Sequence, residues 1–231
     1  MVREITRLES PIDVQYLMHE AYIAISLRVE AMAADLQAGG GVQPLRDAFS
    51  LWGKHLLHHA KIEDAHMTGP LAEIAARDNE AEHAALAVRA GTVSALYADS
   101  ARGHALGRTV SLEARFALEQ LEHAELDRRL LDIDEQLQRE LGERSLGVRR
   151  RRHVYSSLVA LRVAEFDHFE NEETFVIPLV RERFDEDAEL DLARRCLIDD
   201  TASDPRWIID SVADELSPAK QGLLRDLEAR F

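Results

Sequence analysis

The chain contains the stretch His59-Ala-Lys-Ile-Glu63 and, much later, the stretch His168-Phe-Glu-Asn-Glu172. In both, a histidine precedes a glutamate by four positions, within a segment whose apolar residues recur with helical spacing. Side chains at positions i and i+4 of a helix lie on the same face, roughly 5–6 Å apart at Cβ. Each stretch therefore predicts an imidazole and a carboxylate side by side on one helix face.

The composition predicts an all-α protein. The chain has 231 residues, of which 46% are hydrophobic and 31% charged. It is rich in Ala, Leu, Glu and Arg and has few β-branched runs or alternating apolar patterns, which favours helices over strands. This length can bury a large core as one domain, or as one domain with an appended piece.

The net charge and the single cysteine limit which classes of partner and which cellular compartment are expected. A formal net charge of −15 argues against nucleic acid or an anionic membrane surface as a partner. No apolar run approaches the ~20 residues of a membrane span, and the N-terminus lacks the apolar core of a signal peptide. Cys196 is alone, so no internal disulfide is expected. We therefore predict a cytoplasmic protein.

Capping residues, glycines and prolines predict where the helices begin and end. Ser10-Pro11-Ile12-Asp13 predicts the start of a first helix that runs to about Leu36. Four further long helices are predicted: from Pro44 to Gly69-Pro70, from about Asp78 to the glycines at 103 and 107, from about Val110 to Leu141, and from about Val148 to Pro178. Pro178 is expected to end or kink the last of these.

The final segment reads as two or three short helices. Asp204-Pro205 and Ser217-Pro218 both combine a capping residue with a proline. The segment is periodically apolar, which predicts that it packs on the rest of the chain. We therefore predict a helical bundle over residues 1–184, with an extra helix, and a helical C-terminal extension over residues 185–231.

The histidines should meet at one depth. His19 precedes the end of its helix by nearly as many residues as His59 follows the start of the next, and His123 and His168 are related in the same way. His83 and His123 are also nearly symmetric about the glycine-rich break between their helices. Because every residue adds the same rise along a helix, up-and-down helices bring such positions level.

This pattern predicts a metal site. The candidate ligands are His19, His59, Glu63, His83, His123, His168 and Glu172. Imidazole and carboxylate without thiolate suit iron, manganese, zinc or copper. Several histidines with two carboxylates fit a two-metal centre, in which a carboxylate can bridge the ions. Burying these groups without metal would cost several kcal/mol for each unpaired group.

The arrangement resembles the hemerythrin-like family, the His-His-Glu (HHE) cation-binding domains. The family pattern is a lone histidine on the first helix, His-x-x-x-Glu on the second, a histidine on the third and His-x-x-x-Glu/Asp on the fourth. Here the matching stretches are Met18-His19-Glu20, His59 to Glu63, a Glu-His pair, and His168 to Glu172 followed by Ile177-Pro178-Leu179. The resemblance covers about residues 11–182.

The resemblance implies an up-and-down four-helix bundle that holds two iron ions joined by an oxo or hydroxo bridge. It also implies that the partner is O₂ or a related small oxidant such as NO or peroxide. The chain departs from the family in having two Glu-His pairs, Glu82-His83 and Glu122-His123, where the family has one. Either one histidine is not a ligand or both bind, and we expect both to bind.

Other interpretations stay open. Glu165-Phe-Asp-His168 and Glu80-Ala-Glu-His83 are Glu-x-x-His motifs of the kind that ferritin-like di-iron bundles use, but that reading leaves His19 and the His59–Glu63 pair idle. The same centre could serve a di-iron oxidase or peroxidase-type enzyme. A metal-poor helical interaction or regulatory module is the remaining alternative, and a homodimer stays open.

The other histidines are weaker candidates. His55 shares the face of His59 one turn earlier and is a minor candidate ligand, whereas His58 lies off that face. Tyr16 and Tyr22 lie on either side of His19 in the sequence and could approach the metal or cap its pocket. Such tyrosines more often belong to the core with a satisfied hydroxyl, which is what we expect here. Cys196 is expected to be buried and inert.

Overall fold

The computed structural model describes residues 5–36, 41–73, 112–139 and 147–231. Within these ranges all regular secondary structure is helical, which confirms the prediction of an all-α protein. The predicted helix that begins near Asp78, and with it His83, lies outside the described residues.

Four long helices position the candidate site. A 3₁₀ turn, Pro11–Asp13, leads into α1. The long helices are α1 (Val14–Asp35), α2 (Val42–Glu63), α3 (Leu112–Arg139) and α4 (Val148–Asn171). Both α1 and α3 pack against α2 and α4, so each long helix has two neighbours among the other three.

The core lies between these helices. Leu17, Trp52, Leu137 and Leu161, one from each long helix, are fully buried. Burying a large apolar side chain contributes about 1.5–3 kcal/mol. This packing holds the four helix faces that carry the candidate ligands against one another.

The predicted start of the first helix is confirmed. The Asp13 carboxylate accepts the backbone N–H groups of Glu9 at 2.8 Å and Ser10 at 3.2 Å. The same carboxylate pairs with Arg181. The N-terminus of α1 is thereby tied to a segment far along the chain.

The predicted helix end at Gly69-Pro70 is wrong, and Pro178, which was predicted to end or kink its helix, does not end it. Helix α2 continues as a π-helical turn, Asp64–Thr68, and then as helix over 69–73. Helix α4 likewise continues as a π-helical turn, Glu172–Val176, into α5 (Ile177–Arg183). Pro178 is the second residue of α5 and directly follows the wider turn, so the chain passes the proline without ending the helix.

Gly69 explains how the first π-helical turn is possible. Its backbone N–H bonds to the carbonyl oxygen of Asp64, five residues earlier. A Cβ at this position would lie 2.6 Å from that oxygen. The glycine therefore permits a close backbone approach that other residues would oppose. Single π-helical turns inside α-helices occur frequently at functional sites.

Three short helices make up the final segment of the chain, which we call the C-terminal extension. They are α6 (Glu186–Leu197), α7 (Trp207–Glu215) and α8 (Pro218–Glu228). Helix α6 packs against the Pro11–Asp13 turn and α2, and α7 packs against α1. Among the described residues, no helix is both long enough and apolar enough to cross a bilayer.

Candidate metal centre

Six of the seven predicted ligands come together in the interior. His19 comes from α1, His59 and Glu63 from α2, and His123 from α3. His168 lies in the last turn of α4, and Glu172 begins the π-helical turn after it. All six side chains are buried. The seventh, His83, lies outside the described residues.

One group of four residues forms what we name position A. Its histidines are His19 and His59, whose Nε2 atoms lie 3.1 and 3.3 Å from Oε2 of Glu172. The Nε2 atom of His59 also lies 3.3 Å from Oε1 of Glu63. These four residues present ligand atoms that could hold one metal ion.

The second group, position B, uses the other oxygen of each carboxylate. His168 Nε2 lies 3.1 Å from Glu172 Oε1, and His123 Nε2 lies 3.4 Å from Glu63 Oε2. The two Nε2 atoms are 3.1 Å apart. Bonds of about 2.0–2.2 Å from one ion place neighbouring ligand atoms roughly 3 Å apart. The spacing therefore suits two adjacent ions bridged by Glu63 and Glu172.

The outer nitrogen atoms of two histidines are held in matching ways. His19 Nδ1 lies 3.0 Å from Glu173, and His123 Nδ1 lies 2.9 Å from Asp64. Each of these acids directly follows a bridging glutamate on another helix. A carboxylate on Nδ1 orients the ring and directs Nε2 inward, which is the usual support for a metal-bound histidine.

The other two histidines differ. His168 Nδ1 lies between Glu119 at 3.4 Å and Glu122 at 3.3 Å, and the Asn171 amide donates to Glu119 at 2.8 Å. By contrast, Nδ1 of His59 has no hydrogen-bond partner in the described part of the chain. Position B is thus surrounded by more negative charge than position A.

Four supporting acids were not predicted as site residues from the sequence: Asp64, Glu119, Glu122 and Glu173. Two of them carried a signal, since Asp64 and Glu173 each follow a predicted ligand. Glu119 carried another, because it precedes His123 by four positions and shares its helix face. A helix-by-helix reading identifies faces, but it does not show which acid reaches which ring.

Positive charge is strongly favoured within the cluster. Burial opposes the charged form of His19, but its contacts with Glu172 and Glu173 prevail and raise its pKa to about 9. Burial likewise opposes charge on His123, yet Glu172 and Glu63 raise its pKa to about 10. His59 shows the opposite result, because burial lowers its pKa to about 4. Metal ions would supply this charge in place of protons.

The pKa values of the two shared carboxyl groups, Glu63 and Glu172, are shifted in opposite directions. Burial, together with the neighbouring charge of Glu172, raises the pKa of Glu63 well above its usual value. Burial also opposes ionisation of Glu172, but His168 and His59 hold its pKa well below the usual value. One carboxyl group is therefore neutral beside an ionised one, because two buried negative charges repel each other.

Three inward-facing atoms lie 3.1–3.4 Å from another ligand atom but make no well-directed hydrogen bond among the described residues. They are Nε2 of His19, Oε2 of Glu63 and Oε1 of Glu172. A buried polar atom left in this state costs about 1–3 kcal/mol. All three belong to the ligand sets of positions A and B, so metal ions would satisfy them. The residues present therefore fit a pair of metal ions.

Two alternative ligands take other roles. Nε2 of His55 lies 2.9 Å from the Ser211 hydroxyl, outside both positions. Glu165 accepts a hydrogen bond from Trp52 Nε1 at 2.7 Å instead of joining the cluster. The ferritin-like alternative therefore lacks one of its two motif glutamates here, and the other, Glu80, lies outside the described residues.

Glu165 should make the stability of the metal-free protein depend on pH. Burial raises its pKa to about 8 from the ordinary 4.5. Between these values the unfolded chain is ionised at this position and the folded chain is not, so stability falls as pH rises, by at most about 1.4 kcal/mol per pH unit. Glu165→Gln should remove this dependence and keep the Trp52 bond. Urea unfolding at pH 5 and pH 8 measures it, and equal pH slopes in both proteins would contradict the prediction.

Comparison with known proteins adds no family assignment. No protein-family model, no curated protein and no solved structure matches this chain. The hemerythrin-like resemblance therefore stays a prediction, and the function is inferred from the geometry of the site.

Proposed function

We propose that this chain is a non-haem di-iron protein of the hemerythrin-like type, which binds or reacts with O₂ or a related small oxidant such as NO or peroxide. The four long helices would form the up-and-down bundle that holds both ions. The observation that carries the proposal is the division of one buried cluster into two ligand sets that share Glu63 and Glu172.

The ligand chemistry supports iron. Each position offers two imidazole nitrogens and two carboxylate oxygens, a mixed set that suits a first-row transition metal. Two iron ions held side by side would supply redox chemistry and the binding of small oxidants. Each position has only four protein ligands among the described residues, which leaves room for a small ligand on an ion that takes more than four.

The chain's own residues have distinct parts in this proposal. Glu63 and Glu172 would contribute a carboxylate oxygen to each of the two ions, and the four histidines would complete the two ligand sets. Asp64 and Glu173 orient His123 and His19, while Glu119 and Glu122 orient His168. The buried setting excludes bulk water from the ions.

Metal analysis with an optical spectrum tests the proposal. The protein is produced in iron-supplemented cells and purified in air. We expect about two irons per chain, as the two ligand sets require, and the near-ultraviolet absorption of ferric iron bridged by oxygen. Absence of iron, after anaerobic reconstitution with Fe²⁺ as well, would contradict it and favour the interaction-module alternative.

Turnover assays separate a carrier or sensor from an enzyme on the same centre. Catalytic consumption of peroxide, or oxygen uptake that depends on a reductant, would assign an oxidase or peroxidase-type activity. Stoichiometric, reversible binding would assign a carrier or a sensor.

A further inference from the structure

Positions A and B have different surroundings. At position B, both histidines direct Nδ1 to carboxylates: His123 to Asp64, and His168 to Glu119 and Glu122. At position A only His19 has such a partner. Because a carboxylate on Nδ1 makes the imidazole a stronger donor, position B would hold its ion more firmly. Position A offers the same number of protein ligands, but its histidines are less firmly supported.

Gln15 lies beside position A with half of its amide unused. It precedes His19 by four positions on the same helix and is fully buried. Its Nε2 donates to Oε1 of Glu63, the oxygen assigned to position A, at 3.1 Å. Its carbonyl oxygen has no hydrogen-bond partner among the described residues. Buried amide oxygens are usually bonded, so this atom indicates a missing polar neighbour.

Tyr22 provides a second observation at the same place. Its ring packs edge-on against His59, with centroids 5.7 Å apart, and the whole residue is buried. Its hydroxyl also lacks a hydrogen-bond partner in the described part of the chain. The prediction that this hydroxyl is satisfied in the core is therefore wrong. The free hydroxyl and the free amide oxygen both accompany the His59 half of the cluster.

The C-terminal extension completes this side of the site. Cys196, on α6, places its sulfur 3.6 Å from the Gln15 Nε2 and is buried. No comparable unused donor or acceptor from the extension lies at position B among the described residues. The extension thus places Cys196 beside Gln15, next to position A. Cys196 lies outside the segment that resembles the hemerythrin-like family.

We propose that the small ligand binds at position A, bounded by Gln15, Tyr22 and Cys196. This inference rests on the proposed function. The ligand class is a diatomic molecule or small anion that accepts a hydrogen bond from the Tyr22 hydroxyl. A protonated form of the ligand would also donate to the Gln15 carbonyl oxygen.

Azide binding to the air-purified, iron-loaded protein tests the proposal, through the absorption that azide produces on ferric iron. Tyr22→Phe should weaken azide binding about tenfold, the loss expected for one hydrogen bond. Gln15→Leu should change azide binding far less, because azide has no proton to donate to the Gln15 carbonyl oxygen. Cys196→Val, which adds bulk on the same side, should also weaken it. Iron content is measured in every variant, since Gln15 also holds Glu63.

Matched variants distinguish the inference from general damage. Tyr155→Phe removes a hydroxyl that contacts Glu30, and Gln43→Leu removes an exposed amide that contacts Asp47, so both should bind azide like the wild type. Wild-type azide affinity in Tyr22→Phe and Cys196→Val, at full iron content, would overturn the inference and leave the di-iron proposal standing. Iron-loaded wild-type protein that binds no azide would do the same. A wild-type chain without iron would overturn both.

Discussion

Glu172→Ala will abolish stoichiometric metal binding and leave the helix content largely intact. Glu172 is the first residue of a π-helical turn and directs one oxygen to each histidine pair. Removing it deletes a ligand from both positions at once and deletes one of two bridges. The side chain does not take part in helix hydrogen bonding, so circular dichroism should change little. Iron per chain should fall from about two to well below one.

A neighbour on the same segment provides the matched control. Glu170 is exposed, two residues earlier, and belongs to neither ligand set. Glu170→Ala changes the net charge by the same amount as Glu172→Ala, so a general charge effect would appear in both. Two irons per chain in Glu172→Ala would refute the bridging assignment. Normal iron in Glu170→Ala, with loss in Glu172→Ala, would support it.

Six candidate ligands could be placed together from the sequence alone, because helical spacing is strictly local. A separation of four positions between His59 and Glu63, and between His168 and Glu172, places each pair on one face whatever the rest of the chain does. Matching distances to the helix ends then brought His19 and His123 to the same level. These inferences needed only the rise per residue and the positions of the helix ends.

The supporting residues could not be predicted in this way. Whether Asp64 or a residue elsewhere reaches Nδ1 of His123 depends on how α2 and α3 are rotated about their axes, which spacing within one helix leaves undetermined. The contact of Cys196 with Gln15 joins residues that are 181 positions apart in the sequence. Such pairings become visible only when the helices are packed.

The π-helical turns were also beyond the sequence pattern. The sequence predicts a helix end at Gly69-Pro70 and an end or a kink at Pro178, because proline lacks the N–H that an α-helix interior requires. The structure instead adds a wider turn just before each proline, and the chain stays helical. Glu172 begins one of these turns and Glu63 immediately precedes the other. The two predicted helix ends therefore lie close in sequence to Glu63 and Glu172, the glutamates that positions A and B share.

Metal binding will stabilise the fold. The metal-free chain buries unsatisfied ligand atoms and a pair of neighbouring carboxyl groups. A ligand that binds only the folded state at a free concentration of 100 Kd stabilises it by about 2.7 kcal/mol. For a chain of this size, that corresponds to a rise in Tm of roughly 5–10 °C for each filled position. Anaerobic thermal unfolding with and without Fe²⁺, and after chelation, measures it.

Glu63→Gln separates this effect from ordinary packing. The substitution keeps the shape of the side chain but removes a carboxylate that both ions require. Since the pKa of Glu63 is raised, its carboxyl group is already held neutral at the cost of stability as pH rises above 4.5. The metal-free variant should therefore unfold at the same temperature as metal-free wild type, or higher, at pH 8. Its Tm should not respond to Fe²⁺, whereas an undiminished response would mean that the stabilising ion binds elsewhere.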